Sequence, residues 1–216
     1  MSFETILFDL DGTLTDPALG ITNSVAYALK KMGITPPKRK ELLKFIGPPL
    51  AESFEKYYGL KREDAYKAVD IYREYFAPTG IFENTVFDGV PEMLESLKKA
   101  GKTLALATSK PIIFADKILK HFDLFKFFDL TVGSNLDGTL TDKAEVVAVV
   151  LEKLGKPDPK TAVMVGDRSH DIIGGAKNNL FTVGVTFGYG SKKELEDAGA
   201  SRLAHSVDEL LQILLG

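Results

Sequence analysis

Two carboxylates stand two residues apart where an apolar run ends: Thr5-Ile6-Leu7-Phe8 leads directly into Asp9-Leu10-Asp11-Gly12. Extended chain puts residues i and i+2 on one side, so Asp9 and Asp11 can face the same rim. Two acids on one rim repel unless a cation or a shared proton relieves them. Gly12 allows a sharp turn and the close approach of a ligand. A second apolar run, Thr103-Leu104-Ala105-Leu106-Ala107, ends in Thr108, Ser109 and Lys110, and a third, Ala162-Val163-Met164-Val165, ends in Gly166 and Asp167. Asp171 follows four residues later, a spacing that returns its side chain towards Asp167 if the turn continues into a helix. This is a cluster of hard oxygen donors, which suits Mg2+. Lys110 and Lys143 add positive charge, and the Thr108 and Ser109 hydroxyls can donate to a phosphate. A carboxylate can also attack phosphorus and form an aspartyl-phosphate, with metal, lysine and hydroxyls stabilising the charge that moves. Each residue alone has a plainer reading as a turn, a helix cap or a solvated surface group. Their joint order carries the functional one.

The elements that must position these groups follow from periodicity. Residues 21–32, 38–45, 51–58 and 62–76 have helical spacing, broken by Gly33, Pro36-Pro37, the stretch 46–50, and Pro78 with Gly80. No strand is expected between 16 and 83, so this part reads as a small all-helical unit. Beyond it, strands at 103–108, 130–133, 161–165 and 181–185 alternate with helices at 92–99, 114–122, 144–154 and 172–178, and helices from 192 and at 207–214 close the chain. Alternation of this kind implies an α/β fold with a doubly wound parallel sheet, whose ligands gather beyond the carboxyl ends of the strands.

Composition narrows the function. The chain has 216 residues, 44% hydrophobic and 26% charged, a size for one domain or a core with an insertion. With 27 Lys plus Arg against 30 Asp plus Glu, the net charge of -3 gives no basic excess for nucleic acid. The cysteine count of 0 excludes disulfides, thiolate catalysis and Cys-ligated zinc. The chain shows neither a signal-peptide pattern nor a membrane-length apolar run, so a cytoplasmic location without membrane association is expected.

In order along the chain, D-x-D-G-T at residues 9–13, a strand ending in Thr108, Lys143 ahead of a helix, and Gly166-Asp167 followed by Asp171 resemble the haloacid dehalogenase-like (HAD) hydrolase superfamily. The resemblance covers essentially the whole chain. It implies a Rossmann-like HAD core at 1–15 and 85–216 and a helical cap at 16–84. It also implies a Mg2+-dependent phosphatase acting through an aspartyl-phosphate, with Asp9 as nucleophile and Asp11 as general acid/base. The Asp9 carboxylate, the Asp11 backbone carbonyl and Asp167 would hold Mg2+, with Asp171 on the metal directly or through water. Thr108, Ser109 and Lys143 would bind the phosphoryl group. Gly89-Val90, Thr108-Ser109-Lys110-Pro111 and Gly188-Tyr189-Gly190-Ser191 resemble the phosphoglycolate phosphatase-like branch, and Phe45 to Leu50 with Glu83-Asn84 resemble its 5'-nucleotidase-like members. The implied partner is a small phosphorylated metabolite, such as a 5'-nucleotide or phosphoglycolate, and the implied state a monomer or weak homodimer. A phosphoglucomutase-type phosphotransferase and a pyrophosphatase stay open as alternatives on the same core. A dehalogenase needs neither metal nor Asp11, and a non-enzymatic binding module would not need every motif residue.

One heptapeptide is repeated. LDGTLTD occurs at residues 10–16 and again at 136–142. The second copy is preceded by Asn135 where the first has Asp9, and asparagine is a poor nucleophile and no anionic ligand. It therefore reads as a loop leading to Lys143. Between the two later acids, His170 is expected to be structural or exposed, and Arg168 to order the acidic rim by pairing with Asp or Glu, neither of them reacting. The cap aromatics Tyr57, Tyr58, Tyr72, Tyr75 and Phe76 are expected in its core.

Overall fold

The computed structural model describes residues 3–216. The chain forms two compact units, one from Met1–Thr15 with Val86–Gly216 and one from Asp16–Thr85. Strand β1 (Thr5–Phe8) opens the first unit. The two-residue strands β2 (Thr15–Asp16) and β3 (Thr85–Val86), which periodicity cannot register, pair with each other where the chain passes between units.

The second unit is helical: α1 (Ala18–Lys31), α2 (Arg39–Leu42), α3 (Leu50–Tyr58) and α4 (Arg62–Tyr75). Val25, Ala28 and Leu29 of α1 are fully buried, as their spacing requires. The segment expected to end α4 instead continues as a π-helical turn, Phe76–Gly80. Gly20 of α1 lies so close to the Gly80 carbonyl that a Cβ there has no room. Tyr72 and Phe76 stack in the core of this unit with ring centroids 5.2 Å apart. Tyr57, Tyr58 and Tyr75 are only half-buried, so the core expectation holds for two of the five aromatics.

The rest of the first unit alternates helix and strand: α5 (Val90–Lys99), β4 (Thr103–Pro111), α6 (Ile112–His121), β5 (Leu130–Ser134), α7 (Lys143–Lys153), β6 (Ala162–Gly166), α8 (Ser169–Lys177) and β7 (Phe181–Val185). Helix α9 (Lys192–Asp197), strand β8 (Arg202–Ala204) and helix α10 (Val207–Leu215) follow. The six-stranded sheet has the order β5-β4-β1-β6-β7-β8, with every pairing parallel. Residues 181–185 are thus not the last strand. β8 adds an edge whose first residue is exposed, too short to leave a periodic signature. One face of the sheet, through Leu7, Ala105, Val132 and Met164, packs on Val146, Val147 and Val150 of α7. Among the described residues no helix is long and apolar enough to cross a membrane.

Candidate active site

The first strand runs between the other two that carry chemistry. Phe8 aligns with Leu106 on β4 and with Val165 on β6, and the Asp9 amide donates to the Val165 carbonyl at 2.9 Å. Asp9, Thr108 and Asp167 therefore leave the sheet on one rim, one or two residues beyond the aligned positions. Immediately after Asp9, three amides in succession, those of Thr13, Leu14 and Thr15, donate to the Leu10 carbonyl and fold the chain tightly back. Gly12 makes this possible, since its φ of +84° is open to glycine and a Cβ there would collide with the Asp167 carboxylate.

Helices α7 and α8 bring in the rest. Asp142 caps α7, its Oδ1 accepting from the Ala144 amide at 2.7 Å, and so fixes where Lys143 enters. Lys143 points inward and is buried. Its Nζ donates to the Ala107 carbonyl at 2.9 Å and lies 2.8 Å from Asp9 Oδ1 and 2.9 Å from Asp171 Oδ1. The two carboxylate contacts are close ion pairs without ideal hydrogen-bond alignment. Gly174 of α8 leaves the space that the Lys143 side chain occupies. Asp171 sits in the first turn of α8, where its Oδ2 accepts from the Arg168 amide at 3.1 Å. Asp167 Oδ2 accepts from the Tyr189 amide at 2.7 Å.

Burial dominates the electrostatics. It raises the Asp11 carboxyl above its ordinary range, against the opposing pull of Lys110. Burial, then the charge of Asp171, lifts Asp167 well above the usual carboxylate range. Asp171 is pushed up to about 6 by burial, with Lys143 pulling the other way. Burial alone would lower Lys143, but Asp171 and Asp9 outweigh it and hold its ammonium above the usual lysine value. Fully ionised, the four buried carboxylates carry two negative charges more than the Lys143 and Lys110 ammonium groups offset, the charge of one divalent cation. Oxygens of Asp9, Asp167 and Asp171 lie within 4.8 Å of one another, and Asp167 Oδ1 is buried without a hydrogen bond. That donor set fits a hard divalent ion.

All the acids and both lysines singled out in the sequence meet here, with Thr108 on the same rim. Thr108 Oγ1 accepts from the Lys110 amide at 3.2 Å, which leaves the hydroxyl proton to donate. The Ser109 hydroxyl instead donates to the Thr141 carbonyl at 3.0 Å, so it must rotate to serve a ligand. Sequence reasoning named Lys110 only as a source of positive charge, gave Gly188 and Gly190 no part in the site, and missed Glu194. Lys110 pairs with Asp11, a contact 99 residues apart that no local pattern reveals. Gly188 and Gly190 lie so close to the backbone of Gly12 and Asp167 that neither tolerates a Cβ, and the turn signal alone gave no hint of this. Glu194 Oε1 accepts from Arg168 Nε at 2.9 Å and from the Ser169 amide at 3.0 Å, which gives Arg168 the supporting part expected of it.

The second LDGTLTD copy is an exposed loop. Asp137 Oδ1 accepts from the Thr139 amide at 2.9 Å and from its hydroxyl at 2.7 Å, bonds that lower the Asp137 pKa and stabilise only the loop. Asp137→Asn is expected to leave kcat/KM within about twofold, as for surface substitutions away from a site. A loss matching that of Asp11→Asn in a parallel assay would place chemistry in the second copy.

Comparison with known sequences and structures shows the family. A family pattern described as haloacid dehalogenase-like hydrolase matches residues 6–185. A 5'-nucleotidase from Pseudomonas aeruginosa is 44% identical over 214 residues, covering 99% of this chain and 96% of its own. Tyrosine-protein kinase PtkA from Mycobacterium tuberculosis is 38% identical over 98% of this chain and 72% of its own. A phosphoglycolate phosphatase from Aquifex aeolicus is 32% identical over 85% of each chain. The crystal structure of a predicted phosphatase from Clostridium acetobutylicum superposes with a TM-score of 0.96 at 49% identity, covering 100% of this chain and 99% of its own. With its parallel sheet, its buried acids on one rim and a family match across most of its length, the chain belongs to the haloacid dehalogenase-like hydrolases.

Proposed function

We propose that this protein is a Mg2+-dependent phosphatase that hydrolyses a small phosphomonoester through an aspartyl-phosphate on Asp9. The observation that carries the reading is the buried cluster itself: a carboxylate at the end of β1 beside two further acids, with one ammonium, Lys143, shared between Asp9 and Asp171 and an Asp167 oxygen buried without a hydrogen bond. In the first half-reaction an Asp9 oxygen bonds to phosphorus as the bond to the leaving oxygen breaks, and Asp11 gives its proton to that oxygen. In the second, Asp11 takes a proton from water as the water oxygen attacks phosphorus and the Asp9 acyl-phosphate bond breaks. Thr108 holds a phosphoryl oxygen, Ser109 joins it only by turning its hydroxyl away from the Thr141 carbonyl, and Lys143 offsets charge on Asp9 and on the transferring group. Asp9, Asp167, Asp171 and the Asp11 carbonyl would hold Mg2+, which supplies positive charge to the transferring phosphoryl oxygens.

These groups suit any phosphoester, so substrate choice is assigned to the helical unit, the cap expected at 16–84. The similarity to a 5'-nucleotidase and a phosphoglycolate phosphatase supports a 5'-nucleotide or a phosphoglycolate-like metabolite as the substrate class, and a cytoplasmic location is proposed with it. A second reading, transfer to an acceptor other than water, has the similarity to PtkA in its favour. Phosphate release should be measured across nucleoside monophosphates, phosphoglycolate, pyrophosphate and sugar phosphates, with Mg2+ and with chelator. The expected result is metal-dependent release from one class of monoester. Activity indifferent to chelation contradicts the metal role, and turnover only when an acceptor alcohol is supplied favours the transferase.

A further inference from the structure

Among the described residues, Lys110 is a buried cation next to the proposed acid/base that the mechanism above does not employ. Its ammonium forms an ion pair with Asp11 Oδ2, and the two side chains are only 7% and 12% exposed. Lys143 is not available for this task, since Asp9, Asp171 and the Ala107 carbonyl already surround it. The other carboxylate oxygen, Asp11 Oδ1, is buried and accepts no hydrogen bond. One oxygen of the acid/base is thus pinned and the other bare.

The backbone that carries Lys110 is built to aim it. Ala107 pairs with Val132 and Pro111 with Ser134, so the β4 side of this interval is longer than the β5 side, and the surplus bulges out at 108–110. Bulges of this kind re-aim side chains beside active sites. Ser134 Oγ donates to the Ser109 carbonyl at 2.8 Å, and the Ser109 hydroxyl donates to the Thr141 carbonyl at 3.0 Å. The Lys110 amide is held by Thr108 Oγ1. Gly133 lies against the Lys110 carbonyl, where a Cβ would crowd it. The bulge is therefore fixed from β5 on one side and from the loop before α7 on the other. Thr141, from the second LDGTLTD copy, is one of its anchors.

We propose that Lys110 is the positioning residue of proton transfer: it holds Asp11 by Oδ2 so that Oδ1 presents the proton to the leaving oxygen. The inference rests on the acid/base role proposed above for Asp11. A group that acts through a general acid matters most when the leaving group is poor, because a good leaving group departs without a proton. A ligand of the phosphoryl group would instead matter equally for both.

The test compares kcat/KM for ethyl phosphate and for 2,4-dinitrophenyl phosphate in the wild-type protein, Lys110→Met, Lys110→Arg and Asp11→Asn, all with Mg2+. Lys110→Met is expected to lose about 100-fold on ethyl phosphate and no more than about threefold on the dinitrophenyl ester, with Lys110→Arg recovering part of the loss. Asp11→Asn should show the same leaving-group split. Equal losses on both esters in Lys110→Met would overturn the inference, whether they came from lost phosphoryl binding or from a damaged fold. A split in Asp11→Asn with none in Lys110→Met would overturn it while leaving the role of Asp11 intact. No split in Asp11→Asn would contradict the acid/base reading and remove the inference with it.

Discussion

Replacing Asp9 with asparagine is expected to lower kcat by on the order of 10⁴-fold or more while leaving the protein folded. The change is nearly isosteric, and the strand it follows is held by backbone pairing to β4 and β6 rather than by the side chain. What it removes is the oxygen that attacks phosphorus and one of the three carboxylates gathered within 4.8 Å. An amide is a far weaker nucleophile and no anionic ligand, so no compensating route exists at that rim. Thermal unfolding without metal should show no loss of stability, because a like charge has left a crowded acidic cluster. Residual turnover within about tenfold of the wild type would mean that Asp9 is not the reacting group.

The second large effect concerns stability. Lys143→Met is expected to destabilise the metal-free protein by about 3 kcal/mol or more, the scale of removing one partner from a buried ion pair. In a chain of this size that lowers Tm by about 10 °C. Lys143 faces two buried carboxylates and a buried carbonyl, and methionine takes the ammonium away from all three. Its stem also packs against Gly174, so a bulkier arginine is not expected to rescue it. Calorimetry of the metal-free variant checks this. A Tm within about 2 °C of wild type would show that the carboxylates find another counter-charge.

The strands and the rim were legible because buried parallel strands are short apolar runs, and each of the three that matter ends in a chemically distinct residue: Asp9, Thr108 and Asp167. Helix α7 was legible too, although it begins one residue earlier than its apolar spacing suggested, at Lys143 itself, where the Asp142 cap sets its start. Other features leave no local trace. β8 is a short edge strand with an exposed end, and the two-residue strands β2 and β3 are too short for any alternation. The π-helical turn at Phe76–Gly80 carries a proline, which reads as a stop, yet close packing of Gly20 on Gly80 accompanies a further turn. The pairing of Lys110 with Asp11 depends on a bulge whose register is decided by β5, and the need for Gly188 and Gly190 depends on how closely their loop approaches Asp167. Tertiary context decides such features, and one-dimensional spacing does not contain it.

The phosphoryl group is expected to pass through Asp9. The most direct measurement is to quench the protein during turnover of a phosphomonoester, reduce the acyl-phosphate with borohydride and map the modified residue by peptide mass spectrometry. Homoserine is expected at position 9, dependent on substrate and absent from Asp9→Asn. Reduction at a different carboxylate, or none under conditions in which Asp11→Asn accumulates no phosphorylated protein, would contradict it.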